Sequence, residues 1–515
     1  MAEKTKLDKE LKKYARIEKA RVRVSRDNYN FGFGVIFLLA VFAYAVIELG
    51  TFQGNTMIII AAVIGGYMAL NIGANDVANN VGAAVGSGAL TMFGALIIAA
   101  VFESAGAIIA GGEVVKTISK GIIDPSMMPG ADVFVWAMMA ALLSAAIWIN
   151  LATYLGAPVS TTHSIVGGVM GAGIAAEGFA AVDWETMISI AASWVISPLL
   201  GGIIAALFLA AIKFLILFKE DKITAAQRWV PVLVAIMAAA FAMYLVMKGL
   251  KLVVSTDLTT VALVGVAAFI LGYIVVRHYV NRAAAGMENR RRSVSNLFTI
   301  PLIFAAALLS FAHGANDVAN AIGPLAAIVS AVSSGEILAQ ANVPFWVMAV
   351  GAIGIAVGLG LYGPKLIRVV GEQITKLDRT RAFCVALSAA ITVLIASALG
   401  LPVSSTHIAL GAIFGVGFLR EVLANRRYPA AALAPPDPNA PVLLPQDETA
   451  GLEEAAQAGI VLTNDELKKL KKERKRKLVR RRYVFTIAAA WVVTVPAAAL
   501  LAAMFFFMLR GMFLP

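Results

Sequence analysis

Residues 73–79 read Gly73-Ala74-Asn75-Asp76-Val77-Ala78-Asn79, and residues 314–320 repeat the same seven residues at an offset of 241. Each copy lies inside a long apolar stretch, 56–90 and 298–332. A carboxylate at the centre of a bilayer costs roughly 2.5–3.5 kcal/mol on insertion scales. A chain that places one there twice, in the same setting, has a use for it.

The repeat extends outward. Residues 142–163, LLSAAIWINLATYLGAPVSTTH, return as residues 386–407, ALSAAITVLIASALGLPVSSTH, with 13 identities in 22 at an offset of 244. A third echo pairs Trp194-Val195 and Pro198 with Trp491-Val492 and Pro496, at an offset of 297. A polar insertion in the second half accounts for the longer offset.

The rest of the chain fits a membrane protein. Of 515 residues 60% are hydrophobic and only 14% charged, against roughly 25% charged in soluble proteins, and the mean hydropathy is +0.82. This excludes a soluble enzyme and a disordered scaffold. One cysteine, Cys384, excludes disulfides within the chain and cysteine-based metal sites, and four histidines leave little room for a histidine-rich one. Residues 1–30 are too long and too polar for a signal peptide and read as a helix ahead of the first span.

A span needs about 20 mainly apolar residues. Thirteen stretches qualify: 31–50, 56–90, 93–111, 133–154, 158–176, 187–217, 230–248, 258–277, 298–332, 345–363, 382–400, 402–418 and 484–511. Ten Lys and Arg in residues 1–30 put the N-terminus in the cytoplasm. Counting forward leaves 112–132, 177–186 and 333–344 outside, with Glu177, Asp183, Glu185 and Glu336. The same count leaves 278–297, 364–381 and 419–483 inside, with Arg290-Arg291-Arg292, Lys365, Arg368, Lys376, Arg379, Arg381 and the run Lys468–Arg482. Every strongly basic loop falls on one side, as cytoplasmic loops do. The net charge of +12 therefore needs no nucleic acid partner.

On this count stretch 56–90 runs inward and 298–332 outward, while 158–176 runs outward and 402–418 inward. The expected fold is an all-α polytopic membrane protein of about 12–13 transmembrane segments, built as two inverted-topology repeats with broken or half helices at mid-membrane. The expected organisation is a basic cytoplasmic segment (1–30), an extra N-terminal helix (31–50), repeat 1 (56–217), connecting helices with a cytoplasmic loop (218–297), the first part of repeat 2 (298–418), a cytoplasmic insertion (419–483) and the final helix (484–511). The insertion opens as a Pro/Ala-rich linker, Pro429–Pro445, and continues as a charged helix from a capping box at Thr463-Asn464-Asp465-Glu466. It reads as a solvated cytoplasmic helix, with a regulatory or lipid-contacting role as the alternative.

Two motif pairs carry chemistry. Asn79 and Asn320 lie one turn after Asp76 and Asp317, on the same helix face. With Asn75 and Asn316, and with Gly73, Gly314, Gly82, Gly86, Gly88 and Gly323 letting the helix unwind to expose carbonyls, they form oxygen sets suited to hard cations. Asn/Asp pairs also glue helices together, but two identical copies favour the ion site. Ser160-Thr161-Thr162 and Ser404-Ser405-Thr406, each after a proline (Pro158, Pro402), read as helix starts with that proline in the first turn. Hydroxyls and unpaired N–H groups there suit a tetrahedral oxyanion. Ordinary helix capping is the plainer reading of either copy alone.

His163 and His407 close the two motifs. They read as orienting hydrogen-bond partners, with direct proton coupling as the other reading. Glu103 is a lone carboxylate in 93–111, protonated or beside a cation. Spacing pairs it with Pro344, so it has no symmetric copy. Asn150 and the pair Ser144/Ser388 line a path or pack helices.

The paired GANDVAN motifs, PVSTTH and PVSSTH, SWVISPLLGG (193–202) and FAHGANDVANAIGPL (311–325) resemble the inorganic phosphate transporter (PiT) family over about residues 56–511. The resemblance implies a secondary transporter, not an enzyme, that imports phosphate by symport with sodium, or with protons. It implies sodium at Asn75, Asp76, Asn79, Asn316, Asp317 and Asn320, and phosphate at Ser160, Thr161, Thr162, Ser404, Ser405 and Thr406. It places the protein as a multi-pass component of the cell (inner or plasma) membrane, with the lipid bilayer and a cation as partners, a homodimer as an open option and no covalent cofactor. The stretch 31–50 is an addition, and Ala386 stands where some relatives carry a second membrane glutamate. The GANDVAN spelling is nearer the sodium-coupled branch. Hydroxyls and N–H groups do not by themselves separate phosphate from sulfate or a metal–phosphate complex. An anion channel or a phosphate sensor would be a different class, and the paired membrane carboxylates speak against a passive anion pore.

Overall fold

The computed structural model describes residues 6–50, 55–155, 159–249, 257–337, 343–369, 377–427 and 482–513. Pro158, the Pro429–Pro445 linker, the capping box at Thr463 and the basic run up to Arg481 lie outside the described residues. So do parts of the outer 333–344 and inner 364–381 loops. Among the described residues the chain is helical, with one isolated bridge between Ile123 and Val182.

In chain order the helices are α1 (Lys6–Leu49), α2 (Asn55–Asn75), α3 (Val77–Gly86), α4 (Met92–Ala110), α5 (Gly112–Lys116), α6 (Ala131–Leu155), α7 (Thr161–Glu177), α8 (Trp184–Ile212), α9 (Lys222–Lys248), α10 (Leu258–Ala284), α11 (Arg291–Leu297), α12 (Thr299–Asp317), α13 (Ala319–Ser334), α14 (Phe345–Val369), α15 (Arg379–Ala398), α16 (Ser405–Arg427) and α17 (Arg482–Phe513). Among the described residues, twelve helical stretches are long and apolar enough to cross a membrane. The expected thirteenth, 158–176, is α7 with 17 residues. At 1.5 Å per residue it reaches about 26 Å, short of the roughly 30 Å hydrocarbon core. It behaves as a half-helix that begins inside the protein. The N-terminal segment and the first span form one helix of 44 residues, whose apolar part starts at Asn28.

The two repeats clasp each other. α2 packs on α14 of the other half, and α12 on α4; α7 packs on α17, and α16 on α8. Glycines make these crossings close. A Cβ on Gly73 would overlap the Ile355 carbonyl, and one on Gly314 the Glu103 carbonyl; Gly358 meets Leu70 O and Gly106 meets Phe311 O in the same manner. Gly167 and Gly171 abut Val495 and Ala499, as Gly411 and Gly415 abut Pro198 and Gly202. Each contact thus occurs twice with the halves exchanged, as a two-fold axis requires. With no apolar gain between helices in lipid, such small-residue crossings let backbones approach for dispersion contact.

This register corrects the expected partner of Glu103. Because Glu103 O faces Gly314 as Ile355 O faces Gly73, its counterpart is Ile355, not Pro344. It also corrects the role of Gly73 and Gly314, which admit a neighbouring helix and do not unwind their own. The breaks are single residues: Asp76 separates α2 from α3, and Val318 separates α12 from α13.

Gly358→Ala is expected to prevent recovery of folded protein, because the added carbon meets backbone. Gly360→Ala, two residues on, meets nothing within 4 Å and should behave normally. Size-exclusion profiles of the two variants check this; equal profiles would contradict the close crossing.

The broken helices lie at the centre. Residues 305–329 of α12 and α13 are buried without exception. α10, at the rim, exposes Leu263, Val266, Ile270, Leu271, Ile274 and Val275, as a lipid-facing helix does. α9 and α10 start at Asp221 and Asp257, whose carboxylates accept backbone N–H bonds from Thr224 and Thr260. The hydroxyls of Thr224 and Thr260, and then those backbone bonds, hold both carboxyls below their ordinary range.

Candidate functional site

The two half-helix starts meet the two helix breaks. Ser160 Oγ accepts from His163 N at 3.1 Å, and Ser404 Oγ accepts from His407 N at 3.3 Å. Both serines are therefore N-caps, and α7 and α16 begin one residue later. Pro402 precedes the cap and is not in the first helical turn, which corrects that expectation.

The residues after the caps turn their hydroxyls to the carboxylates. Thr161 Oγ1 donates to Asp76 Oδ2 at 2.7 Å, and Ser405 Oγ donates to Asp317 Oδ2 at 3.0 Å. These are equivalent contacts in the two halves. A second equivalent pair crosses between halves. Asn79 Nδ2 donates to Thr406 Oγ1 at 2.8 Å, and Asn320 Nδ2 donates to Thr162 Oγ1 at 3.1 Å. A third fixes the asparagines before the breaks: Asn75 Nδ2 donates to Thr153 Oγ1 at 2.8 Å, and Asn316 Nδ2 to Ser397 Oγ at 3.0 Å. Asn316 also donates to Leu401 O and accepts from Val403 N, which ties it to the linker before α16.

The symmetry is incomplete at the carboxylates. Thr406 Oγ1 donates to Asp76 Oδ1 at 3.1 Å, so each Asp76 oxygen has a hydroxyl donor, one from each half. Thr162 instead donates to Val403 O. At Asp317, Oδ2 faces His313 Nε2 at 2.8 Å, and His313 Nδ1 faces Glu103 Oε1 at 3.1 Å. Asn80 Nδ2 donates to the same glutamate oxygen at 2.6 Å. Asp76, His313 and Asp317 bring ligand atoms within 4.8 Å of one another, all buried.

Of the side chains expected to act, twelve converge here: Asn75, Asp76, Asn79, Asn316, Asp317 and Asn320 with Ser160, Thr161, Thr162, Ser404, Ser405 and Thr406. His163 and His407 face each other behind the caps, ring centroids 5.0 Å apart, with Trp194 against His163 at 3.8 Å. Asn150 stands apart, on an exposed position of α6, and donates to Asn71 Oδ1 at 3.1 Å. Ser144 and Ser388 bond their own helices. Sequence reading passed over His313, Asn80, Thr153 and Ser397. His313 had a signal: it sits four residues before Asp317, one turn away on the same helix face.

Five buried oxygens around the two breaks lack a donor among the described residues: Asn75 Oδ1, Asn320 Oδ1, Asp317 Oδ1, Asn80 Oδ1 and Glu103 Oε2. All five are acceptors. Amide and carboxylate oxygens with their donors already engaged are ligands for a hard cation. No Lys or Arg is bonded to any of these groups among the described residues. Two carboxylates at most 4.8 Å apart repel by at least about 3 kcal/mol at an effective dielectric of about 20, so positive charge stabilises the set.

Residues 72–502 match the phosphate transporter family. A protein of Helicobacter pylori strain J99 named "Putative phosphate permease" is 53% identical over 425 residues, covering 81% of this chain and 80% of its own length. A Pyrococcus furiosus protein with the same description is 41% identical over 371 residues, covering 72% of this chain and 89% of its own. A solved structure described as "The sodium-dependent phosphate transporter" superposes with a TM-score of 0.73 at 34% identity, over 89% of this chain and all of that one.

Proposed function

From the premise that the chain belongs to the phosphate transporter family, we propose that it imports inorganic phosphate by symport with sodium, by alternating access about the site between the two repeats. Membership makes it a transporter and not an enzyme. The observation that carries the sodium reading is the cluster of donor-less acceptor oxygens around two buried carboxylates, supported by likeness to a protein described as sodium-dependent.

Charge dictates the order of events. Asp76 and Asp317 bring two negative charges, and divalent phosphate would bring two more. Burying that total unpaired is prohibitive. Sodium therefore binds first, at Asp76 and Asp317 with the amide oxygens of Asn75, Asn79, Asn316 and Asn320. A cation on Asp76 takes over the role of the hydroxyls that donate to it. Thr161 and Thr406 then turn to phosphate, with Ser405, Thr162 and the capping residues Ser160 and Ser404 around it. The half-helix starts of α7 and α16 contribute N–H groups and about half a positive charge each. Because each half supplies ligands to the other through the Asn79–Thr406 and Asn320–Thr162 bonds, loading the site draws the two repeats together. Rocking of one repeat against the other then exposes the site to either side. The protein sits in the cell membrane with its N-terminus in the cytoplasm, on the distribution of basic loops.

Purified protein in liposomes tests this. An inward sodium gradient should drive uptake of labelled phosphate, and choline in place of sodium should abolish it. Uptake in choline driven equally well by a pH gradient would replace sodium with the proton. Competition by excess sulfate would remove the selectivity for phosphate.

A further inference from the structure

Among several differences between the two halves of the site, one changes ionisable residues. The close helix crossings equate Gly73 with Gly314 and Ile355 with Glu103, and at the motif offset of 241 Ile72 corresponds to His313. Where repeat symmetry has two buried isoleucines, Ile72 and Ile355, the other side has buried His313 and Glu103. The chain has thus replaced a packed apolar pair with an ionisable one at a fully buried position, and only beside Asp317.

The pair adds no net charge. Both ring nitrogens of His313 lie 2.8 and 3.1 Å from carboxylate oxygens, as ion-pair contacts and not aligned hydrogen bonds, and an approach this close to groups that only accept favours a proton at each. Wherever those two protons rest, Glu103, His313 and Asp317 together total one negative charge, the same as Asp76 alone. What the pair adds is direction. Asp317 Oδ2 accepts from Ser405 Oγ at 3.0 Å and has His313 Nε2 against it as an ion-pair contact at 2.8 Å, and Oδ1 has no donor among the described residues. His313 is itself held through Nδ1 by Glu103, and Glu103 by Asn80. Asp76 has no such brace, and each of its oxygens accepts from a rotatable hydroxyl.

We propose that Glu103 and His313 are positioning residues that make the two site carboxylates unequal. Braced Asp317 is the preformed cation ligand; Asp76 adjusts, exchanging its hydroxyl partners as phosphate arrives. The proposal rests on the sodium-symport reading. A carboxylate or histidine anchored from behind in this way raises ligand quality without touching the ion.

The test copies the opposite half. Glu103→Ile combined with His313→Ile, in a background of Asn80→Ala, installs the residues that stand at Ile355, Ile72 and Ala321, all buried in the opposite half. In liposomes this double variant should raise the half-saturating sodium concentration about tenfold or more, the usual effect of losing an outer-shell partner, while the half-saturating phosphate concentration at saturating sodium stays near that of the unaltered protein. Glu103→Gln should lie much nearer the unaltered protein, since an amide N–H can donate to His313 Nδ1 and leave Nε2–H on Asp317. An unshifted sodium dependence in the double variant would reduce the pair to packing. A Glu103→Gln variant as impaired as the double one would show that the acidic proton itself matters, and would overturn positioning. If the double variant is not recovered as a monodisperse protein, His313→Leu combined with Glu103→Gln carries the same expectation, because it removes the group facing Asp317 Oδ2 and leaves an amide, not a charge, beside Asn80. Asp317→Asn and Asp76→Asn are measured alongside. If neither alters sodium dependence, the symport reading itself fails; if they do and the double variant does not, only the positioning role fails.

Discussion

Asp76→Asn and Asp317→Asn should each reduce sodium-driven phosphate uptake at least about a hundredfold at limiting sodium. Removing one unit of charge from a cation ligand in a site of effective dielectric near 20 forfeits about 3 kcal/mol or more, and each 1.4 kcal/mol is a factor of ten. Asparagine has the volume of aspartate and still accepts one hydrogen bond, so the fold should hold and size-exclusion profiles should match the unaltered protein. The two variants should differ in detail. Asp317→Asn puts an amide against His313 and disturbs a braced ligand, whereas Asp76→Asn leaves two hydroxyls that can turn either way. Saturation curves in sodium, at fixed phosphate, read both effects. Two folded variants with ordinary sodium dependence would return the Asn/Asp motifs to helix glue.

Thr161→Val is the second large effect. This hydroxyl donates to Asp76 at 2.7 Å and accepts from Asn320 at 3.2 Å, so it joins a carboxylate of one repeat to an amide of the other. Valine fills the same space without the hydroxyl. Each charge-assisted hydrogen bond of this kind is worth about 1.5–3 kcal/mol, so half-saturating phosphate should rise about ten- to a hundredfold. Thermal stability of the ion-free protein should fall as well, because Asp76 loses a hydroxyl donor, and saturating sodium should restore it. Ser160→Ala provides the contrast. It removes the N-cap of α7, with a stability loss of about 1 kcal/mol, and so should lower the melting temperature as well as phosphate affinity. If Thr161→Val transports phosphate with ordinary affinity, the anion does not meet the α7 start.

Several parts of the site were legible in the chain because they are local. A carboxylate inside an apolar run, repeated with its neighbours intact, declares itself wherever the helix goes. Asn75, Asp76 and Asn79, and likewise Asn316, Asp317 and Asn320, share one turn of helix. The serine caps announce helix starts. Other parts were hidden because their partners are far apart. Thr153 and Ser397 matter only because Asn75 and Asn316 reach them, 78 and 81 positions away. Glu103 meets His313 across 210 positions, and its counterpart Ile355 was misassigned because counting forward from the motif assumes equal loops. The segment between Asp76 and Glu103 is 27 residues; between Asp317 and Ile355 it is 38. Only the register of the crossing helices compares the right positions.

By itself, then, the sequence determined the membrane class, the internal duplication and the chemical character of the polar groups held inside it. These follow from hydropathy, from repeated residue order and from functional-group chemistry, all of which are properties of short segments. The tertiary structure alone decided which half supplies which ligand, that Ser160 and Ser404 cap while Thr161 and Ser405 face the carboxylates, and that Asp317 is braced while Asp76 is not. The physical reason is the exchange of helices between repeats. Bare glycine surfaces let α2 close on α14 and α12 on α4, and that approach sets side chains hundreds of residues apart within hydrogen-bond range, with His313 and Glu103 beside Asp317 where the other half has Ile72 and Ile355.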